Sequence, residues 1–279
     1  MNEPIELSGR LVKMPVAAAT PVDYTLKVGD HRLPLNELLG RQIEISFSGE
    51  IRCIHCNRKT SKSFSQGYCY PCFKRLAACD SCIMSPEKCH YHLGTCREPE
   101  WGETHCMTGH VVYLANSSGL KVGITRAGQV PTRWIDQGAV AAAPMVRVAT
   151  RYLAGLVEVA CKQHVADRTN WRTMLKGEVP EIDLQAERKA LLEKIAPQLE
   201  QLAAEHGGDA IETADDPVWS LDYPVDTWPQ KIATHNLDKR PMASGVLQGI
   251  KGQYLILDTG VINIRKYTAY NVRVRVLSE

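Results

Sequence analysis

Residues 110–125 read HVVYLANSSGLKVGIT, two apolar runs on either side of the turn sequence Asn116-Ser-Ser-Gly119. Short runs rich in β-branched residues around such a turn predict a β-hairpin. Downstream, the pattern predicts a helix near 132–137, a strand at PMVRVAT (144–150) and an amphipathic helix over 152–165. The segment therefore predicts the order strand, strand, helix, strand, helix.

Both ends of the chain are rich in β-strand patterns. Residues 5–52 contain three alternating runs with turns at VGD and SGE, and residues 245–277 contain similar runs between Gly-rich turns. Because chain termini often lie close together, we expect the two segments to be halves of one small barrel. Two separate sheets are the alternative.

A longer amphipathic helix with an internal proline is predicted over 181–205, and it opens an acidic region. Patterning and composition together divide the chain into five segments: a β-rich segment at 1–52, a cysteine-rich module at 53–110, an α+β domain at 111–177, an acidic helix and loop at 178–230, and a second β-rich segment at 231–279.

The charge distribution is uneven along the chain, although the net charge is only +2. Residues 111–176 contain nine basic and three acidic residues, whereas residues 177–230 contain three basic and thirteen acidic residues. A basic block suits a polyanionic partner such as DNA or RNA. A solvated charged surface is the alternative.

The sequence lacks the features of membrane and secreted proteins. No apolar run reaches the roughly 18 residues of a membrane span, and the acidic start MNEPIELSGR does not resemble a signal peptide. We therefore expect a cytoplasmic protein without a membrane partner. In that compartment, its ten cysteines are expected to stay reduced and to bind metal rather than form disulfides.

Two C-x-x-C motifs, Cys53-Ile-His-Cys56 and Cys69-Tyr-Pro-Cys72, are separated by twelve residues. This spacing is typical of a zinc ion bound tetrahedrally by four thiolates. The basic connector between the motifs suits the hairpin of a zinc ribbon or the loop of a treble clef. The sequence therefore predicts a structural zinc site.

A second region is dense in metal donors from Cys79 to His110. We expect a second structural zinc here, bound by Cys79, Cys82, Cys89 and either His92 or Cys96. An iron–sulfur cluster with cysteine ligands is the alternative, because ligand spacing alone does not distinguish the two. The other candidates are interpreted as ordinary polar or core residues: His105, His110 and the helical Cys161.

Residues 111–170 resemble the GIY-YIG nuclease superfamily, in which a three-stranded antiparallel sheet packs against helices. The first motif of that family corresponds to Val111-Val112-Tyr113 and the second to Lys121-Val122-Gly123. The resemblance assigns the arginine of the first helix, the metal-binding glutamate and the asparagine twelve positions later to Arg133, Glu158 and Asn170. Val111 replaces the family's glycine, and Lys121 replaces its second tyrosine.

The resemblance implies cleavage of phosphodiester bonds with the help of Mg²⁺ or Mn²⁺ bound at Glu158. Arg133 would bind the scissile phosphate, with Arg126 as a second candidate. Tyr113 would handle the proton of the attacking water, its acidity raised by Lys121 or another cation. The supporting residues are Gly123 in the second motif and Asn170, which would anchor the fold through backbone hydrogen bonds.

The leading hypothesis is thus a metal-dependent nuclease that acts on DNA or RNA. The first alternative is a non-catalytic nucleic-acid-binding protein, RNA- or ribosome-associated, on the same scaffold. The second is an iron–sulfur enzyme of RNA modification. Glu158 also has a non-catalytic interpretation, because a salt bridge to Arg151 or Arg168 would satisfy its charge.

Overall fold

The computed structural model describes residues 4–277. The chain divides into two compact units. The first unit comprises the residues up to Lys74, Leu175–Glu178 and the residues from Leu221 onward. The second unit comprises Arg75–Met174 and Val179–Ser220.

The secondary structure alternates between these units along the chain. The strands are β1 (Ile5–Arg10), β2 (Val16–Ala17), β3 (Asp23–Val28), β4 (His31–Pro34), β5 (Gln42–Arg52), β6 (Lys59–Thr60), β7 (His110–Asn116), β8 (Leu120–Arg126), β9 (Ala141–Val148), β10 (Ile211–Thr213), β11 (Trp219–Ser220), β12 (Met242–Lys251), β13 (Tyr254–Leu257), β14 (Gly260–Asn263) and β15 (Tyr270–Val276). The α-helices are α1 (Tyr70–Arg75), α2 (Pro99–His105), α3 (Thr132–Asp136), α4 (Arg151–Lys162), α5 (Trp171–Leu175) and α6 (Leu184–His206). Short 3₁₀ helices lie at Asn36–Leu38, Ala77–Cys79, Ser81–Ile83, Pro86–Lys88, Tyr91–Leu93, Ala127–Gln129, Gly208–Ala210 and Ile264–Tyr267.

The first unit is built on antiparallel sheets. Its main sheet has the order β1-β15-β5-β12-β13-β14, with β6 added to β5, and a small sheet has the order β2-β3-β4. Alternate residues of β15 are buried, as expected of strands with one face in a core. The two ends of the chain meet in this sheet, because Ile5 pairs with Val276 and Ile43 pairs with Val276 from the other side.

The expected barrel is wrong. Among the described residues, β1 and β14 form the two edges of the main sheet and do not pair with each other, so the sheet stays open. The expected closeness of the terminal segments is borne out by their pairing in one sheet, but it does not determine whether the outermost two strands pair.

The second unit is a mixed α/β structure around an antiparallel sheet. The central strand β7 is buried along its whole length and lies between β8 and β9, while the short strands β10 and β11 pair with the far side of β9. Helices α4 and α6 pack against this sheet through an apolar core that includes Val112, Val157 and Ile195. The predicted order of strands and helices in this segment is confirmed.

Local sequence signals explain where the two main helices begin. The Oγ1 atom of Thr150 accepts a hydrogen bond from the backbone N–H of Leu153 at 3.3 Å and caps α4. The carboxylate of Asp183 accepts from two backbone N–H groups at the start of α6. No helix in the described residues is long and apolar enough to cross a membrane.

Candidate functional site

Cys53, Cys56, Cys69 and Cys72 bring their four sulfur atoms within 4.8 Å of one another. The Sγ atoms of Cys56 and Cys69 are 3.6 Å apart, and zinc–sulfur bonds of about 2.3 Å place the sulfurs of a tetrahedral site about 3.8 Å apart. Cys53 comes directly after β5, and Cys72 lies on α1. The group could therefore bind zinc, as its spacing predicts.

Backbone hydrogen bonds prepare the first of these thiols for a metal. Burial raises the pKa of Cys53, but the backbone N–H groups of Cys56, Cys69 and His55 and the thiol of Cys56 bring it down to about 6. Burial and the neighbouring thiols instead raise the pKa of Cys72 to about 12. A cysteine must lose its proton to bind zinc, so a sulfur surrounded by N–H donors suits a metal ligand.

The second donor-rich region encloses a small cavity. Four cysteines line it, together with Asp80 and His90: Cys82, Cys89, Cys96 and Cys106. Two of the residues that sequence spacing favoured, Cys79 and His92, lie outside this lining among the described residues. Cys79 is buried, and the ring centroid of His92 is 5.7 Å from that of Tyr152. Cys106 lines the cavity instead.

Tyr113 and Lys121 share one hydrogen-bond acceptor in the second unit. The Tyr113 hydroxyl donates to Oε1 of Gln137 at 2.9 Å, and Nζ of Lys121 donates to the same oxygen at 2.6 Å. The Lys121 ammonium also donates to Oγ1 of Thr169 at 2.7 Å. Tyr113 is completely buried, and Lys121 is 3% exposed.

Gly123 makes room for the tyrosine ring. It pairs with Tyr113 across the β7–β8 hairpin, and a Cβ at this position would lie 2.7 Å from the Tyr113 hydroxyl oxygen. No larger residue fits there unless the ring moves. The glycine of the second motif therefore has a steric function in this chain.

The protonation of these two groups differs from the expectation. Burial raises the pKa of Tyr113, and the nearby Arg133 guanidinium only opposes this effect in part. Burial and, to a smaller extent, the Arg133 guanidinium lower the pKa of Lys121 to about 7. The acidity of Tyr113 is thus reduced rather than raised, and Lys121 is the group of the pair that titrates near neutral pH.

Glu158 lies on α4 with 9% of its surface exposed. Its Oε2 atom is 3.1 Å from Nζ of Lys162, and the same Nζ is 3.2 Å from Oδ2 of Asp167. One ammonium therefore bridges two carboxylates. The ion-pair partner of Glu158 is Lys162, whereas Arg168 is 3.8 Å from the carboxylate of Asp167.

Tyr113 and Lys121 share a hydrogen-bond acceptor, and the other two residues assigned to catalysis influence the pKa values of this pair. Both Arg133 and Glu158 act on the ionisation of Tyr113, and Arg133 also acts on that of Lys121. Arg126 ends β8 and is about 17 Å along the strand from Lys121. It faces His110 across the hairpin.

Asn170 has the backbone contacts expected of it. Its Oδ1 atom accepts from the backbone N–H groups of Arg172 at 3.2 Å and Thr173 at 3.4 Å, in the first turn of α5. Its own N–H donates to Oγ of Ser118 in the hairpin turn at 2.8 Å. Asn170 thus joins the start of α5 to the β7–β8 turn.

Sequence reasoning missed Gln137, Lys162 and Asp167 in this neighbourhood. Lys162 follows Glu158 by four positions on a predicted helix, and this spacing is a readable signal for an ion pair. Gln137 had no such signal, because its contact with Tyr113 and Lys121 depends on how α3 packs beside the hairpin.

Comparison with known proteins gives one match. A family model described as "Protein of unknown function (DUF2797)" matches residues 40–272. No curated protein and no solved structure matches the chain.

Proposed function

The chain belongs to the DUF2797 family, and we propose that it is a metal-dependent nuclease that hydrolyses phosphodiester bonds in DNA or RNA. The observation that carries this proposal is that Tyr113 and Lys121 share the Gln137 oxygen, and that Arg133 and Glu158 lie near enough to influence the pKa of Tyr113. These residues are far apart in sequence, and they match the positions at which the chain resembles the GIY-YIG superfamily. Membership of the GIY-YIG superfamily is therefore also proposed.

Glu158 and Asp167 would hold the catalytic metal. Their carboxylates already share one positive charge, since Nζ of Lys162 lies 3.1 and 3.2 Å from them. Mg²⁺ prefers oxygen ligands and is often bound by one or two carboxylates together with substrate phosphates. The donor set therefore fits Mg²⁺ or Mn²⁺ after Lys162 turns away. When bound, such an ion supplies charge stabilisation for the leaving oxygen.

Arg133 would bind the scissile phosphate. Its guanidinium is partly exposed on α3 and close enough to act on both Tyr113 and Lys121. A planar guanidinium can donate two parallel hydrogen bonds to a phosphate. Arg126, further along β8, would contact a phosphate more distant from the scissile bond on the same strand.

Lys121 would accept the proton of the attacking water as a general base. Its pKa of about 7 gives a substantial neutral fraction at neutral pH, and a base works best when its pKa is near the operating pH. Tyr113 would position Lys121 through the shared Gln137 oxygen. In this scheme the lysine that replaces the family's tyrosine takes over proton handling.

Zinc at Cys53, Cys56, Cys69 and Cys72 would have a structural function. All four ligands are protein thiols, so the site offers no open coordination position for substrate. The basic block at 111–176 supports a nucleic-acid partner, because Lys and Arg neutralise backbone phosphates.

The test is cleavage of single- and double-stranded DNA and RNA with Mg²⁺ or Mn²⁺ by the wild-type protein and the Glu158→Gln variant. A catalytic metal contributes several kcal/mol, so we expect the variant to be at least about a hundredfold slower. Glu200→Gln is the matched control, because Glu200 is exposed on α6. Equal rates for wild type and Glu158→Gln would contradict the proposal.

A second candidate is a non-catalytic nucleic-acid-binding protein, and the burial of the site favours it. Tyr113 is completely buried and Lys121 is 3% exposed, so neither reaches a bound strand without movement of the chain. Binding without cleavage, with equal affinity in wild type and Glu158→Gln, would support this candidate.

A further inference from the structure

The cavity lined by Cys82, Cys89, Cys96 and Cys106 has the donors of a second zinc site. The four cysteines come from separate parts of the region between the 3₁₀ helix Ser81–Ile83 and the end of α2, and the fold brings them to one cavity. Burial raises the pKa of Cys106 and raises that of Cys82 to about 11, and neighbouring cysteines contribute to both shifts: Cys89 and Cys96 for Cys106, Cys89 and Cys106 for Cys82. Four cysteine thiols that line one cavity are a donor set typical of a structural zinc centre.

The cavity has room for a single ion. Its volume is about 20 Å³, and a site needs about 10 to 15 Å³ to hold one water molecule. The space therefore suits one ion. A four-iron cluster, with eight atoms in its core, would require a much larger cavity.

A buried cation beside the sulfurs provides an independent observation. Burial lowers the pKa of Arg151, the first residue of α4, and Cys106 and Cys82 are the nearby groups that oppose this shift most. Its Nη2 donates to the carbonyl oxygen of Ile83 at 2.6 Å, but its buried Nε–H has no hydrogen-bond acceptor among the described residues. Zinc bound by four thiolates has a net charge of −2 and would supply both a counter-charge and sulfur acceptors.

Asp80 and His90 are less suitable as ligands, although their donor atoms lie within 4.8 Å of the Cys82 sulfur. The Asp80 carboxylate is 2.6 Å from Nε of Arg97. Nδ1 of His90 is 2.8 Å from Oγ1 of Thr95. Both side chains therefore have other partners, and thiolates are the softer ligands that zinc sites of this kind use.

We propose that Cys82, Cys89, Cys96 and Cys106 bind one zinc ion, which holds the cysteine-rich segment (residues 76–108) against helix α4. The backbone N–H of Arg151 donates to the carbonyl oxygen of Cys106 at 2.8 Å. One turn further along α4, Gly155 lies so close to Glu87 that a Cβ would be 2.5 Å from its backbone nitrogen. The helix thus contacts this segment directly, and the zinc would keep that segment ordered. The inference does not depend on nuclease activity.

The experiment measures zinc and iron per chain in the purified full-length protein and in single Cys→Ser variants. We expect two zinc ions in the wild type, one in Cys89→Ser and one in Cys106→Ser. Cys79→Ser is the matched control, because Cys79 is a buried cysteine of the same segment outside the cavity, and it should retain both ions. Cys53→Ser should retain only the ion of the second site.

A second measurement uses only the wild-type protein, so it tests the proposal even when the Cys→Ser variants fail to fold. Native wild-type protein is treated with an alkylating agent before and after zinc removal by a chelator, and the modified cysteines are mapped by mass spectrometry. We expect Cys82, Cys89, Cys96 and Cys106 to become reactive together as the second zinc ion leaves. Loss of zinc from Cys79→Ser, two zinc ions in Cys106→Ser, stoichiometric iron, or alkylation of these four cysteines before chelation would each overturn the proposal.

Discussion

The buried Lys121 makes the stability of the protein depend on pH in a way that one substitution removes. Its pKa is lowered from 10.5 to about 7, mainly by burial. Between these values the folded chain binds fewer protons than the unfolded chain, so stability rises with pH. From pH 7 to about pH 8.5 the free energy of unfolding rises by about 1.6 kcal/mol. The whole shift corresponds to about 5 kcal/mol.

The assay is urea unfolding of wild type and Lys121→Met at several pH values between 7 and about 8.5. Methionine has a similar length and does not titrate. It also loses the hydrogen bonds to Gln137 and Thr169, but that loss is nearly the same at each pH and cancels when the slopes are compared. Zinc release on unfolding affects both proteins alike.

We expect the free energy of unfolding of the wild type to rise by about 1.6 kcal/mol more than that of Lys121→Met over this range. Parallel curves would refute the reasoning. They would mean that Lys121 keeps a pKa near that of an exposed lysine, and therefore that the nearby Asp167, which favours the charged form, outweighs burial.

Three further substitutions test other contacts of the site. Gly123→Ala should destabilise the protein by about 1 to 3 kcal/mol in thermal or urea unfolding, because its Cβ would collide with the Tyr113 ring; Gly128→Ala, with open space around it, is the control and should be near neutral. Asn170→Ala should lower the free energy of unfolding by about 1 kcal/mol, because α5 loses its N-terminal cap. Asn170→Asp should retain most of that stability. Equal losses in the two variants would argue against capping. Lys162→Met removes the ammonium between two carboxylates. In a thermal shift assay, saturating Mn²⁺ should therefore stabilise this variant by at least about 1 kcal/mol more than it stabilises the wild type. An equal effect on both proteins would exclude a cation site there.

Much of the local structure could be predicted because it depends on neighbouring residues. The apolar runs around Asn116-Ser-Ser-Gly119 form the β7–β8 hairpin, and the apolar period over 152–165 corresponds to α4. The C-x-x-C spacing also brings four thiols together. In each case, a short-range pattern of side chains is enough to specify the contact.

Contacts that depend on packing could not be predicted in the same way. The positions of β1 and β14 at opposite ends of the strand order depend on how the whole sheet assembles, which no single run of residues encodes. The choice of cysteines around the second cavity has a similar cause. Sequence proximity favours Cys79, but helix α2 returns the chain so that Cys106, at its end, lines the cavity instead.

One face of α4 connects the second cysteine cavity to the candidate catalytic carboxylate, and this connection affects how metal experiments are interpreted. Arg151, Gly155 and Glu158 are three or four residues apart on α4. Arg151 and Gly155 contact the cysteine-rich segment. Glu158 is buried on the same helix. Removal of zinc should therefore displace Glu158 and abolish any cleavage even if zinc takes no part in the chemistry.

Glu158→Gln separates these effects, because it should retain both zinc ions and melt near the wild-type temperature while losing cleavage. The converse variant is Cys106→Ser, which should lose one zinc ion together with thermal stability and cleavage. If Cys106→Ser cleaved at the wild-type rate after losing its zinc, the position of α4 would not depend on the second site. The coupling between the cavity and Glu158 would then be wrong, whatever metal the cavity binds.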